Sequence, residues 1–507
     1  MGVVRRFCSS SWAPTLGLVA IGLVYLIVQI PVIRAVPLRW DEVLYLGQTS
    51  SAMPAPYFSA PRAFGEAWLV SPVSVWTSSP TIIRAYVAFT SSIGFVVAFL
   101  PWIRVRGLGR WNAPLAASIL LLSWIWVISG SLIFPNLWVA FGAVSAIGWA
   151  VLAVQNKSKL AIAATACSLA VVALFRPVDS LVVFVGVTLC LLIMIHLGSW
   201  KWRGLAFASL VFGLIVGWVP WVIDAFQRFG GPQSRLLEAS EFQGGRGKSL
   251  DFLAQWRALD GPMLCKPCLA IKAGFPIAGT TLLVLALSLV VLAVIVSIRG
   301  RVLPVLASPV VVGIAFLAFY GLTMQYGAPR FLLPMWGCFA IAVAYSVTWL
   351  WGVVSGRALL LIRIPVACVA IAVLIMQVGV LAHTVATERS RGAFAPILAN
   401  QARSIITEPC GVAGYYALPI AFGLHCHLLA SKGDRIADGD WGQIAADLTI
   451  VIVCFPGQKK CAFPLNLPHK SKRFQYTGGV NSDFVVVEFR YAHSIRAGVL
   501  AQEGTAS

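Results

Sequence analysis

Two adjacent carboxylates are the first residues here that could do chemistry. They sit in Arg39–Trp40–Asp41–Glu42–Val43–Leu44–Tyr45, a few residues after the first long apolar run. A carboxylate can take a proton from a hydroxyl, and its basicity rises where water is partly excluded. It could instead hold a divalent cation through oxygen ligands. Trp40 and Tyr45 suggest a cleft at headgroup depth, because such rings favour the membrane interface. The plainer alternative is a solvated helix start, with Asp as an N-cap and acids in the first turn.

The elements that must position this pair are membrane helices. Of 507 residues, 59% are hydrophobic and only 11% charged, whereas a soluble domain carries roughly 25% charged residues. Nineteen Trp and 44 Gly fit the same class. Spanning the bilayer takes ~20 mostly apolar residues. Such runs occur at 14–33, 82–103, 113–133, 135–154, 160–175, 178–197, 204–223, 276–298, 302–324, 331–350 and 361–383. They predict an α-helical multi-pass protein with about eleven spans, counted by this rule. The first run is too long for a signal peptide and lacks a small-residue cleavage site, so it is expected to stay as an anchor. No internal repeat is evident. The formal charge of +20 is scattered between apolar runs. That fits loop arginines and contact with membrane lipids, not nucleic acid.

Orientation follows from Lys and Arg in the short loops. With the N-terminus cytoplasmic, the inner segments hold Arg5, Arg6, Arg104, Arg106, Arg110, Lys157, Lys159, Lys201, Arg203, Arg299, Arg301, Arg357 and Arg363, and no acid. All 18 acids then fall in outer segments or at outer helix ends, so any carboxylate chemistry must be external. The expected division is a membrane domain over 1–383, with outer loops 34–81 and 224–275, and an extracytoplasmic domain over 384–507. That tail shows candidate strands at 411–416, 448–454 and 483–490 and a candidate helix at 419–424, which suggests a small α/β domain. It contains no GxGxxG or P-loop pattern.

Five of the eleven cysteines (Cys8, Cys167, Cys190, Cys338 and Cys368) lie in or near spans, where Cys acts as a small apolar residue. The external six are Cys265, Cys268, Cys410, Cys426, Cys454 and Cys461. An even number in an oxidising compartment points to structural disulfides, whose pairing the spacing leaves open. The alternatives are a redox pair at Cys265–Lys266–Pro267–Cys268 and a metal site using His425 and His427.

An acidic pair just after the first span, in a long first outer loop, resembles the GT-C class of membrane glycosyltransferases. Protein O-mannosyltransferases and lipid A aminoarabinose transferases are the members with this arrangement. The loop continues with Pro61–Arg62 and Gly65–Glu66–Ala67–Trp68–Leu69–Val70–Ser71–Pro72, which suggest short interfacial helices, and Ile83–Arg84–Ala85 opens the second span. Phe175–Arg176–Pro177–Val178–Asp179 and Tyr326–Gly327–Ala328–Pro329–Arg330–Phe331–Leu332–Leu333–Pro334 lie at outer helix ends. The second is similar to the Arg-(Tyr/Phe)-Leu-Leu-Pro stretch of the class. No DxD motif appears in the first loop, which lowers the expectation of an obligatory metal.

The resemblance implies a polyprenyl-phosphate sugar donor and inversion at the anomeric carbon. It implies Asp41 as general base, with Glu42 orienting it or binding sugar hydroxyls. Arg176 and Arg330 would bind the donor phosphate; the alternative is simple snorkelling to the interface. Trp40, Tyr45, Glu66, Arg84 and Asp179 are candidate substrate contacts. Asp224, Glu238 and Glu241 could touch the acceptor, although a solvated loop is the expectation there. The acceptor could be a glycan, a lipid, a protein or a small molecule. Competing readings are a polysaccharide polymerase or ligase, a lipid-linked glycan transporter, and a sensor or scaffold. Transport fits less well because the middles of the spans carry almost no charge.

Overall fold

The computed structural model describes residues 12–194, 199–243, 252–265, 275–353, 358–403, 406, 410–414, 416–428, 449–453, 470–475 and 483–488. The chain divides into two compact units. One comprises Met1–Val32, Ala60–Glu66 and Val87–Thr384; the other comprises Ile33–Ser59, Ala67–Tyr86 and Val385–Ser507.

Among the described residues, eight helices are long and apolar enough to cross a membrane: Ala13–Ala35, Pro80–Ile103, Pro135–Asn156, Trp200–Arg228, Ile277–Arg299, Leu303–Thr323, Pro329–Gly352 and Ile364–Arg403. Each coincides with a run expected from the sequence. Lys159–Phe175 and Pro177–Ile193 match two further runs but have 17 residues each. At 1.5 Å per residue that is about 25 Å, shorter than the ~30 Å hydrocarbon layer. The chain is a multi-pass membrane protein. Pro135–Asn156 is buried along most of its length and lies centrally in the first unit, packed on Lys159–Phe175 and Leu333–Val353. Proline at its first turn fits, since that position needs no N–H.

The expected span at 113–133 is corrected. It is two short buried helices, Asn112–Leu120 and Trp124–Ser129, with extended backbone at Ser123. Non-helical backbone at membrane depth survives only where protein satisfies it, and here protein does. The Trp124 N–H donates to Gln377 Oε1 at 3.2 Å, Tyr25 Oη donates to the Trp126 carbonyl at 2.7 Å, and Ser91 Oγ donates to the Gly130 carbonyl at 2.7 Å. Twenty apolar residues fit one exposed span and two enclosed short helices equally well, so the sequence pattern does not separate them.

In the second unit, the segment after the first span supplies the short helix Trp40–Leu46 and most of helix Gly65–Ser74. The tail forms a five-stranded sheet from β1 (Cys410–Gly414), β2 (His427–Leu428), β3 (Thr449–Val453), β4 (Lys470–Gln475) and β5 (Asp483–Glu488), in the order β2-β1-β3-β5-β4. β1 is parallel to β2 and β3, with Cys410 opposite Thr449; β5 runs antiparallel to β3 and β4. Helix Ala417–Leu424 follows β1. The three expected strands and the helix are present. β2 was too short, and β4 too basic, to read as strands.

Candidate active site

In the second unit, the acidic pair begins helix Trp40–Leu46, and its two members differ sharply. Glu42 is fully enclosed. Its Oε1 accepts from Arg84 Nη1 at 3.0 Å and its Oε2 from Arg84 Nη2 at 2.9 Å. The same Oε2 accepts the Arg39 backbone N–H at 2.9 Å, the return half of a capping box. Arg84, also fully buried, donates further to the carbonyls of Val36 at 2.8 Å and Pro37 at 2.7 Å. Arg39 pairs with Glu388. Thus one buried arginine fixes both the approach to the helix and its first turn. Asp41, one residue earlier, is half-buried, as is Trp40. Tyr45 is buried and meets Phe58 edge-on at 5.8 Å. A divalent cation at this pair would draw on Asp41, because both Glu42 oxygens already serve Arg84.

In the first unit, Arg176 and Arg330 come together around one ring, and Asp179 pairs with Arg176. Arg176 is the N-cap of helix Pro177–Ile193, and Asp179 lies in the first turn. Arg176 Nε meets Asp179 Oδ2 at 3.1 Å. The guanidinium carbon of Arg176 lies 5.6 Å from the centre of the Phe331 ring, and that of Arg330 lies 5.4 Å from it. Tyr320 stacks on Phe331, with centroids 4.9 Å apart and planes at 2°, and donates to Asp179 Oδ2 at 2.5 Å. Arg330 also sits over Phe134 at 4.5 Å and donates from Nη1 to the Met263 carbonyl at 2.9 Å. Aromatic faces hold guanidinium groups through the ring quadrupole.

Several residues that no motif marks hold this cluster. Gln255 donates to the Tyr326 carbonyl at 2.9 Å, and Cys265 and Gly327 exchange backbone hydrogen bonds at 2.9 and 3.2 Å. Gly327 is required there, since a Cβ would lie 2.1 Å from the Ala254 carbonyl oxygen. At Gly65 a Cβ would lie 2.8 Å from the Leu174 carbonyl oxygen, so the 60–66 segment packs directly beside Phe175. Glu66 follows, fully buried. Arg235, also fully buried, donates to the carbonyls of Ala60, Trp221 and Arg62 at 3.1, 2.8 and 2.8 Å.

The expectation of a solvated loop at Asp224 is corrected. Helix Trp200–Arg228 continues through it, and Asp224 is buried against Arg228 at 2.5 Å and Arg235 at 2.8 Å. A buried carboxylate needs such partners. Glu238 and Glu241 lie on helix Pro232–Phe242, half-buried and exposed respectively. A cavity of about 370 Å³ opens beside Arg176 and Asp179, with mostly apolar walls that include Trp221, Leu236, Phe319 and Met324.

Outside the spans, Asp260 accepts the backbone N–H groups of Gly279 at 2.5 Å and Ala278 at 2.9 Å, at the start of helix Ile277–Arg299. Burial pushes its carboxyl above the ordinary range, against the pull of those two N–H groups. Cys410 and Cys426 form a disulfide, and Cys265 is also disulfide-bonded. With Cys426 oxidised, His425 and His427 lose their nearest candidate co-ligand. No group of three or more His, Cys, Asp or Glu suited to a metal ion occurs among the described residues. Cys8, Cys268, Cys454 and Cys461 lie outside them.

No family model matches this chain, and no curated protein matches it in sequence. Among solved structures, ArnT from Cupriavidus metallidurans in the apo state aligns with a TM-score of 0.63 at 14% identity, over 94% of this chain and 98% of that one. ArnT bound to undecaprenyl phosphate aligns with a TM-score of 0.62 at 12% identity, over the same shares. ArnT is an aminoarabinose transferase of the GT-C class. The fold of the present chain is that class's architecture, a helical membrane bundle with a small C-terminal sheet.

Proposed function

We propose that this protein is a GT-C glycosyltransferase. It moves a sugar from a polyprenyl-phosphate donor to an acceptor hydroxyl at the outer face of the membrane, with inversion. The observation that carries the reading is the convergence of Arg176 and Arg330 on Phe331. Two guanidinium groups on one ring, with Arg176 lining a mostly apolar cavity, suit a phosphate whose tail stays in lipid. The solved ArnT complex holds a ligand of that chemistry, undecaprenyl phosphate, in the same fold.

The reaction is a single displacement. Asp41 removes the acceptor's proton, the acceptor oxygen attacks the anomeric carbon, and the carbon–oxygen bond to phosphate breaks. Polyprenyl phosphate leaves with the bonding pair. Arg176 and Arg330 stabilise the charge growing on that phosphate by being in place beforehand. Glu42 keeps helix Trp40–Leu46 fixed through Arg84 rather than acting on the sugar. Of the acidic pair, Asp41 is therefore the one assigned to proton transfer. Incubating membranes that contain the protein with labelled polyprenyl-phosphate sugars, and identifying the labelled product, tests the reading. Label that never leaves the lipid carrier argues for a transporter.

A further inference from the structure

Resting on the reading of Asp41 as the base, we propose that Glu388 is a positioning residue for it, acting through Arg39, so that the C-terminal part of the chain takes part in the reaction. All three residues belong to the second unit. Arg39 is the N-cap of helix Trp40–Leu46, and Asp41 lies in the first turn. The Arg39 backbone fixes the helix start: its N–H donates to Glu42 Oε2 at 2.9 Å, and its carbonyl accepts the Val43 N–H at 3.0 Å. The side chain is held separately, by the Glu388 carboxylate near the end of helix Ala358–Gly392. Both side chains are nearly enclosed, at 14% and 10% exposure. Arg39 Nε is buried with no hydrogen-bond partner among the described residues, so the guanidinium depends on that carboxylate.

A buried ion pair adds little net stability over apolar packing, and its best-attested use is to fix one register. Here the register is that of the helix carrying Asp41. Glu42 and Arg84 secure the first turn, and Glu388 ties the same turn to the C-terminal segment. Two further contacts run the same way. A Cβ at Gly392 would run into the Pro37 ring, so the chain leading into Arg39 lies directly on the end of helix Ala358–Gly392. Helix Ala417–Leu424 packs on helix Trp40–Leu46. Without Glu388 the Arg39 cation is nearly enclosed and unpaired, and it must move toward water. The helix start moves with it, because Arg39 is the N-cap, and Asp41 is displaced. Glu388 touches neither sugar nor acceptor in this account.

The test uses the full-length protein and two readouts. One is the rate at which label leaves a radiolabelled polyprenyl-phosphate sugar in membranes containing the protein; the other is the purified protein's affinity for radiolabelled undecaprenyl phosphate. Glu388→Ala is expected to slow transfer by about ten- to a hundredfold, the scale of a misplacement of about 1 Å at a catalytic group. Undecaprenyl phosphate affinity should stay at the wild-type value, because Arg176 and Arg330 belong to the first unit. Arg39→Ala should show the same split, and the double variant should be no slower than the slower single one. Equal losses of rate and affinity in Glu388→Ala would assign the residue to general stability and overturn the proposal, as would a fully additive loss in the double variant. Wild-type transfer in folded Glu388→Ala, alongside slow transfer in Asp41→Asn, would overturn the positioning role and leave the base reading standing. Wild-type transfer in Asp41→Asn would remove both. Should Glu388→Ala fail to fold, the isosteric Glu388→Gln takes its place, with the same split expected and the same outcomes against it.

Discussion

Arg176 and Arg330 press on the same ring, with guanidinium carbons 5.6 and 5.4 Å from the centre of Phe331. Arg176 already pairs with Asp179 at 3.1 Å, and an anionic donor would bind beside that pair. Arg330→Ala is expected to reduce undecaprenyl phosphate affinity by about tenfold or more, consistent with loss of a charged hydrogen-bond donor. Arg330→Lys should recover only part of it, because an ammonium lacks the planar fork. Equilibrium binding to purified protein measures both. Wild-type affinity in Arg330→Ala would leave the residue as an interfacial anchor only.

The Glu42–Arg84 pair makes a separate prediction about stability. Both side chains are fully enclosed, so removing one partner leaves an uncompensated charge. Glu42→Gln or Arg84→Met should each destabilise by about 3–5 kcal/mol. The double variant Glu42→Leu with Arg84→Met should lie closer to wild type than either single change. Thermal unfolding in detergent would show this as a lower midpoint in the single variants. Additive losses in the double variant would contradict the pairing.

Gly327 permits a backbone approach that no side chain allows, with its hypothetical Cβ 2.1 Å from the Ala254 carbonyl oxygen. Gly327→Ala must separate helix Phe252–Arg257 and the adjoining Ala258 from the segment leading to Arg330. A loss of about 1–3 kcal/mol is expected from overpacking, together with weaker donor binding. Retained donor affinity would show that this brace does not set the position of Arg330.

The raised carboxyl of Asp260 gives a pH dependence with a definite sign. In the folded protein this group holds its proton more tightly than in the unfolded chain, because burial outweighs the two N–H bonds from Gly279 and Ala278. Its contribution is complete below the ordinary aspartate range and is lost as pH rises through the raised folded value. The wild-type unfolding midpoint should therefore fall relative to that of Asp260→Asn as pH rises through this window. A difference that stays flat, or runs the other way, would contradict the direction of the shift.

The acidic pair and the two arginine segments were legible because their residue types are unusual beside apolar runs. Their partners were not. Arg84 lies 42 residues from Glu42, and nothing in the local pattern joins them. Tyr320 sits within an apolar helix, where a tyrosine reads as core, and its bond to Asp179 crosses 141 residues. Gln255 and Arg235 belong to loop helices without a motif. Membrane helices emerged readily from length and hydropathy, whereas the break near Ser123 depends on Gln377 receiving a freed N–H from a distant segment. Asp224 read as loop because the apolar run ends before it, yet Arg228 and Arg235 allow the helix to continue.

The central claim is that Asp41 takes the acceptor's proton. Its most direct test is the rate of sugar transfer from a labelled polyprenyl-phosphate sugar by Asp41→Asn, measured beside undecaprenyl phosphate binding by the same preparation. Asparagine keeps the shape and cannot accept the proton, so transfer should fall by a factor of about 10²–10⁴, the usual contribution of a general base. Donor binding should stay near wild type. Transfer at the wild-type rate by folded Asp41→Asn would contradict the account.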